Sequence, residues 1–118
     1  MATFDPTPYQ PLTPAMFQVL VSLADGEKHG YGIIKEVARR TDGEVRLRTA
    51  TLYTVIKRFV DADLIEETDE RPDPALDDER RRYYRLTDRG WALAEAEAAR
   101  LEEVLRQARA HLSRPRRA

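Results

Sequence analysis

Apolar residues recur every three or four positions in four stretches of this chain and alternate with polar ones in two short ones. Met16, Val19, Leu20 and Leu23 mark the inner face of a first helix. Thr13 before Pro14 supplies an N-cap followed by proline at the first helical position, and Asp25–Gly26 stops the helix. His29–Gly30–Tyr31 opens a second helix through about Arg40, with Tyr31, Ile34 and Ala38 as its expected inner face. Thr41–Asp42–Gly43 ends it, and Glu44 to Arg48 is a link in which Leu47 packs inward. Leu52, Val55, Ile56 and Phe59 then define a third helix, within Thr49 to Leu64. Leu64 to Glu70 reads as a strand, Arg71 to Glu79 as a proline-containing loop, and Arg80 to Leu86 as the returning strand. Thr87 is an N-cap and Asp88 suits the positive end of a helix dipole. From there to about Ser113 the chain is rich in alanine, leucine and glutamate, a sustained helix signal.

The third helix carries the chemistry. Opposite its apolar face fall Ala50, Thr54, Lys57 and Asp61, with Thr51 and Arg58 on one flank and Tyr53 on the other. Small and hydroxylated residues near the start of a helix suit base edges, and nearby cations suit phosphates. The hairpin that follows brings back Arg80, Arg81 and Arg82. A groove-sized helix beside an arginine-bearing hairpin is the layout of a winged helix-turn-helix that binds double-stranded DNA. The competing reading is an ordinary amphipathic surface helix. Expected DNA-facing residues are Arg48, Thr49, Thr51, Tyr53, Thr54, Lys57, Arg58, Arg80, Arg81 and Arg82. Along a strand, Arg80 and Arg82 share one side and Arg81 the other, so the three cannot all face DNA. At least one is expected to pair with Asp77, Asp78 or Glu79.

The last helix has a seam of its own. Trp91, Ala94, Ala98, Leu101, Leu105, Ala108 and Leu112 alternate by three and four over three heptads. A helix this long on so small a domain has little of its own chain to pack on. The expectation is a homodimer interface; the alternative is that the helix folds back on its own core.

Composition narrows the classes. At 118 residues the chain is one domain, with no cysteine and hence no disulfide framework or thiolate metal site. His29 and His111 are too far apart to suggest a metal, and no phosphate-cradling glycine loop or catalytic arrangement is present, so an enzyme is not expected. No cofactor is expected either. No apolar run approaches a membrane span, and the start of the chain lacks the pattern of a secretion signal, so a cytoplasmic, nucleoid-associated protein is expected. The net charge of −1 gives no global support for DNA binding. Its distribution does. From Lys28 to Arg58 there are eight basic residues against three acidic, and from Phe59 to Glu79 ten acidic against one basic, before the arginines of the return strand.

These motifs resemble those of the PadR family of bacterial transcriptional repressors, in its short form with a single C-terminal helix. HGYGII, from His29 to Ile34, is similar to the family's second-helix motif, and TLYTVIKRF, from Thr51 to Phe59, to its recognition helix. DDERRRYYRLTDRG, from Asp77 to Gly90, is similar to its wing-to-helix motif and is the most specific of the three. The resemblance covers roughly Leu12 to Leu105, and it suggests that Tyr53 meets the DNA backbone through its hydroxyl, with half-buried packing the equal alternative. It implies a homodimeric winged-helix repressor, often released from its operator by a small molecule, with drug-like ligands held in apolar space at the dimer centre, where seam packing of Trp91 is favoured over a role as a ligand platform. Departures occur at Ala50 and Asp63, where the family usually has glycine, and at Phe59, where leucine is usual. They bear on the operator sequence rather than on the fold.

The expected architecture is therefore mainly α with a small β-hairpin. Residues 1–11 form a flexible arm, 12–87 a winged helix-turn-helix, 88–113 a C-terminal dimerisation helix and 114–118 a basic tail. The expected partners are operator DNA, a second copy of the chain and a small aromatic or drug-like effector, with no membrane. The rival function is a winged-helix protein-interaction module without sequence-specific DNA binding.

Overall fold

The computed structural model of the chain describes residues 3–68 and 82–116. Helices α1 (Pro14–Ser22), α2 (Gly30–Arg40) and α3 (Thr49–Asp61) precede a hairpin of β2 (Ile65–Thr68) and β3 (Tyr83–Leu86), and α4 (Asp88–Leu112) ends the fold. A two-residue strand, β1 (Lys28–His29), lies between α1 and α2 and pairs antiparallel with β3. The sheet order is β1-β3-β2, so β3 is hydrogen-bonded on both edges. The pattern along the chain did not reveal β1, because two residues are too few to show alternation. The mainly α fold with a small antiparallel sheet is that of a winged helix-turn-helix.

Local capping sets the boundaries. The Thr13 hydroxyl accepts from the Met16 amide, His29 Nδ1 from the Gly32 amide, and the Thr87 hydroxyl from the Gly90 amide. Each satisfies an amide that the first helical turn would otherwise leave unpaired. α2 ends where Asp42 and Gly43 take positive φ. α3 ends at Asp63 with φ 59, a conformation that aspartate tolerates better than most residues. The turn there delivers the chain directly onto α4. The Leu64 carbonyl accepts from the Thr87 amide, and the Asp63 carbonyl from the Thr87 hydroxyl. The approach is so close that a Cβ on Gly90 would sit 1.9 Å from the Leu64 carbonyl oxygen, which only glycine permits.

The core gathers one face of every helix: Val19 and Leu20 from α1, Ile33 and Val37 from α2, Leu52 and Phe59 from α3, and Leu93 from α4, closed by Leu64, Ile65 and Tyr84. Two expectations change here. The inner face of α2 runs through Gly30, Ile33 and Val37, with Ile34 partly buried beside them, whereas Tyr31 is 64 % exposed. The helical phase is one residue away from that expected, because Gly30 carries no side chain to mark the face that lies against α3. The segment before Leu12, expected as a flexible arm, is packed. A 3-10 turn at Thr7–Tyr9 stacks Tyr9 on Phe4, and both side chains pack against the core. The segment is fixed by Glu97, a charged residue only 1 % exposed. Its carboxylate accepts from the Leu12 amide at 2.8 Å, from Gln10 Nε2 at 3.1 Å, and from Arg100 at 2.7 and 2.9 Å. A buried charge persists only when it is paired and hydrogen-bonded in this way.

Candidate nucleic-acid interface

α3 presents a polar face to solvent. Arg48, Thr49, Thr51, Tyr53, Thr54, Lys57 and Arg58 are all exposed, while Leu52, Val55, Ile56 and Phe59 are buried. Thr54 donates its hydroxyl to the Ala50 carbonyl at 3.0 Å, and Lys57 forms an exposed ion pair with Asp61 at 3.3 Å. The start of α3 is electropositive. Arg48 occupies the N-cap position without capping through its side chain, and the first turn holds no acidic residue. The partial positive charge of the helix end is therefore not offset locally, which favours an anion such as phosphate. Tyr53 is 42 % exposed, and its hydroxyl would lie 2.8 Å from a Cβ on Gly30. It is thus packed along one edge against α2 and open along the other.

Beside α3, the register of β2 and β3 sets Glu66 opposite Arg85 and Thr68 opposite Tyr83. Arg85 pairs with Glu66 at 2.7 Å and Arg82 with Glu67 at 3.6 Å, both across the hairpin and both exposed. Tyr84 points into the core, where burial, with the Glu67 charge behind it, pushes its phenol above the usual range. Its neighbour Tyr83 faces the other way, edge-on to His29. Arg80 and Arg81, with the acidic triplet Asp77, Asp78 and Glu79, lie outside the described residues.

The seam of α4 divides in two. Ala94 and Ala98 are half-buried, and Ala94 packs against the core. Trp91, 46 % exposed, donates from Nε1 to Glu95 at 2.9 Å. Trp91, Ala94 and Ala98 border an apolar groove of about 170 Å³, whose other wall is Phe17, Val21 and Ala24. Further along, Leu101, Val104, Leu105 and Leu112 are exposed and Ala108 is half-buried. The residues of α4 that bury themselves in their own domain are Gly90, Leu93 and Glu97, on a face beside the seam. Leu93 carries a signal in its own hydrophobicity, one position before the seam residue Ala94. Glu97 carries none, because a carboxylate reads as solvated until its partners are known. Among the described residues, no helix is long and apolar enough to cross a membrane and no group of side chains could hold a metal ion.

Comparison with known proteins agrees with this geometry. The chain is 31% identical over 74 residues to an uncharacterised protein of Lysinibacillus sphaericus, spanning 63% of this chain and 65% of that relative, somewhat less than two thirds of its length. A PadR family transcription regulator from Clostridium difficile superposes with a TM-score of 0.70 at 24% identity, covering 86% of this chain and 100% of that one. A PadR-like regulator from Bacillus cereus gives 0.69 at 20% identity, over 85% and 92%. At these identities the two establish a shared fold. The regulator BpsR of Bordetella bronchiseptica, whose DNA binding is regulated by 6-hydroxynicotinic acid, is 29% identical with a TM-score of 0.63, over 86% of this chain and 64% of that one. The match to the Transcriptional regulator PadR-like family runs over residues 19–96, from the middle of α1 past Leu93 of α4, and the chain belongs to that family of transcription regulators.

Proposed function

We propose that the chain is a homodimeric, sequence-specific reader of double-stranded DNA that represses transcription from the cytoplasmic nucleoid and is released by a small aromatic molecule. The observation that carries this reading is the outward face of α3, where Thr49, Thr51, Thr54 and Lys57 are exposed beside an uncapped, electropositive helix start. In the major groove those hydroxyls reach base edges, while Arg48, Lys57, Arg58 and the wing arginines track phosphates.

The dimer rests on α4. Its second half exposes Leu101, Val104, Leu105 and Leu112 in one stripe, and a stripe of that length is stabilised by covering it with a second copy. Two linked α3 helices suit half-sites about 34 Å apart. Protein bridging two such sites in a promoter occludes the DNA between them, which makes repression the expected sign. The effector reading draws on the groove of Phe17, Val21, Trp91 and Ala98, which offers an aromatic wall beside the seam, and on the regulation of BpsR by an aromatic acid.

The deciding experiment is to incubate purified protein with fragmented DNA and sequence what it retains. A recurrent inverted repeat is expected, bound with an affinity that falls steeply as salt rises. Retention without any shared sequence would reject the sequence-specific reading.

A further inference from the structure

We propose that Tyr31 and Lys35 of α2 form a second phosphate-binding element, which grips the DNA backbone between α3 and the wing. The proposal rests on the DNA-reading function above and adds a surface outside α3 and the β2–β3 hairpin.

The first turn of α2 is held by neighbours on both of the elements assigned to DNA. Gly30 lies against the Tyr53 hydroxyl of α3, closely enough that a Cβ there would collide with it. His29 meets the Tyr83 ring of β3 edge-on, with centroids 5.4 Å apart. The His29 ring is fixed as the α2 cap through Nδ1, and Tyr31 lies parallel to it at 6.3 Å. Tyr31 is therefore an oriented aromatic ring, yet 64 % of it is exposed. An apolar ring that large, held open to solvent by the frame around it, gains nothing from burial in its own domain.

Lys35 sits one turn on, with its ammonium 5.4 Å from the Tyr31 ring centroid. Such a pair orients the cation without neutralising it. The neighbouring cations are already engaged: Lys28 by Asp25 and the Ser22 carbonyl, Arg39 by Glu36, and Arg40 by Glu36 and Gln18. Among the described residues Lys35 has no carboxylate partner. It also lines an open cleft of about 590 Å³ with His29, Gly32 and Tyr83. Glu27 and Glu36 border that cleft too, and Glu36 is spent on the two arginines. The arrangement offers one oriented ammonium and one phenolic donor, the pair of groups by which side chains hold a phosphate. Its continuity with Tyr53 and Tyr83 identifies that phosphate as one on the strand flanking the groove that α3 occupies.

The test measures binding to a duplex recovered from the retained fragments, across a salt series, for wild type, Lys35→Gln, Tyr31→Phe, Tyr31→Leu and Lys57→Ala. All the substituted side chains are exposed, and circular dichroism checks that each variant is folded. Lys35→Gln is expected to shallow the log–log salt slope by about 0.9 for each protomer bound, so a fourfold rise in salt weakens it about 3.5-fold less per protomer. Tyr31→Phe keeps the ring and is expected to keep the slope while losing about threefold to tenfold in affinity with the hydroxyl contact. Tyr31→Leu, which removes the platform as well, is expected to shallow the slope in addition. A wild-type slope in Lys35→Gln, with Lys57→Ala shallowed as expected, overturns this proposal and leaves the DNA reading standing. Wild-type protein that retains no DNA overturns both.

Discussion

Replacing Glu97 by alanine removes one carboxylate and four hydrogen bonds, those from Gln10, Leu12 and, twice, Arg100. The partners do not suffer equally. Arg100 is about one-third exposed and turns to water at little cost. The Leu12 amide belongs to a residue only 8 % exposed and is left without an acceptor. A buried, unpaired amide costs about 1–3 kcal/mol, and the methylene lost with the carboxyl group about 0.8 kcal/mol more. Relief of the buried charge gives part of that back, so the expected loss is about 2–3 kcal/mol, a fall of about 10 °C in Tm for a chain of this size. Urea unfolding measures it, with both proteins at one fixed concentration because the proposed dimer would make stability depend on concentration. Hydrogen exchange adds a local readout: the Leu12 amide is expected to exchange much faster in the variant. The acid limb of stability tests the same cluster. Hydrogen bonds from Arg100, then from Leu12 and Gln10, hold the Glu97 carboxyl below its usual range, against the upward push of burial. A depressed carboxyl stabilises the fold above its unfolded pKa of about 4.3, and that contribution is lost as pH falls from there through the folded value. Glu97→Gln is therefore expected to flatten the loss of stability below that pH. A Glu97→Ala protein that loses less than about 0.5 kcal/mol and keeps the Leu12 amide protected would mean that Glu97 does not hold the N-terminal segment in place.

Three further outcomes are expected. Leu101→Glu with Leu105→Glu, which places charge in the exposed stripe of α4, is expected to convert the proposed dimer to a monomer and to weaken DNA binding; sedimentation that still shows a dimer places the interface elsewhere. Lys57→Ala, whose ion pair with Asp61 is exposed and worth at most about 0.5 kcal/mol, leaves stability nearly unchanged but shallows the salt slope by about 0.9 for each protomer bound; an unchanged slope removes Lys57 from the contact. Gly90→Ala drives a methyl group into the Leu64 carbonyl and lowers Tm by far more than a helical glycine-to-alanine change normally raises it; a stable variant would mean that α4 can shift outward at no cost.

Much of the fold was legible because it rests on local rules. Thr13, His29 and Thr87 begin helices where their side chains can accept an amide, and Asp63 turns where the chain needs a positive φ. The polar face of α3 was legible from period alone, because Leu52, Val55, Ile56 and Phe59 leave no doubt about which side is inner. What escaped depends on partners distant in sequence. Tyr31 is displaced from the inner face by Gly30, and Glu97 gives no sign of burial in the sequence because one of its partners, Leu12, lies 85 residues away. β1 was invisible for the same reason, since Lys28 and His29 form a strand only because Tyr83 and Tyr84 arrive beside them.

The central place of β3 gives it a partner strand on each edge. β3 is anchored by β1 on one edge and continues within a residue into the Thr87–Leu64 junction that seats α4. β3 is thus the joint at which the sheet and α4 are held together: a change in its register would be carried at once to β1 on one edge and to the seat of α4 beyond its end.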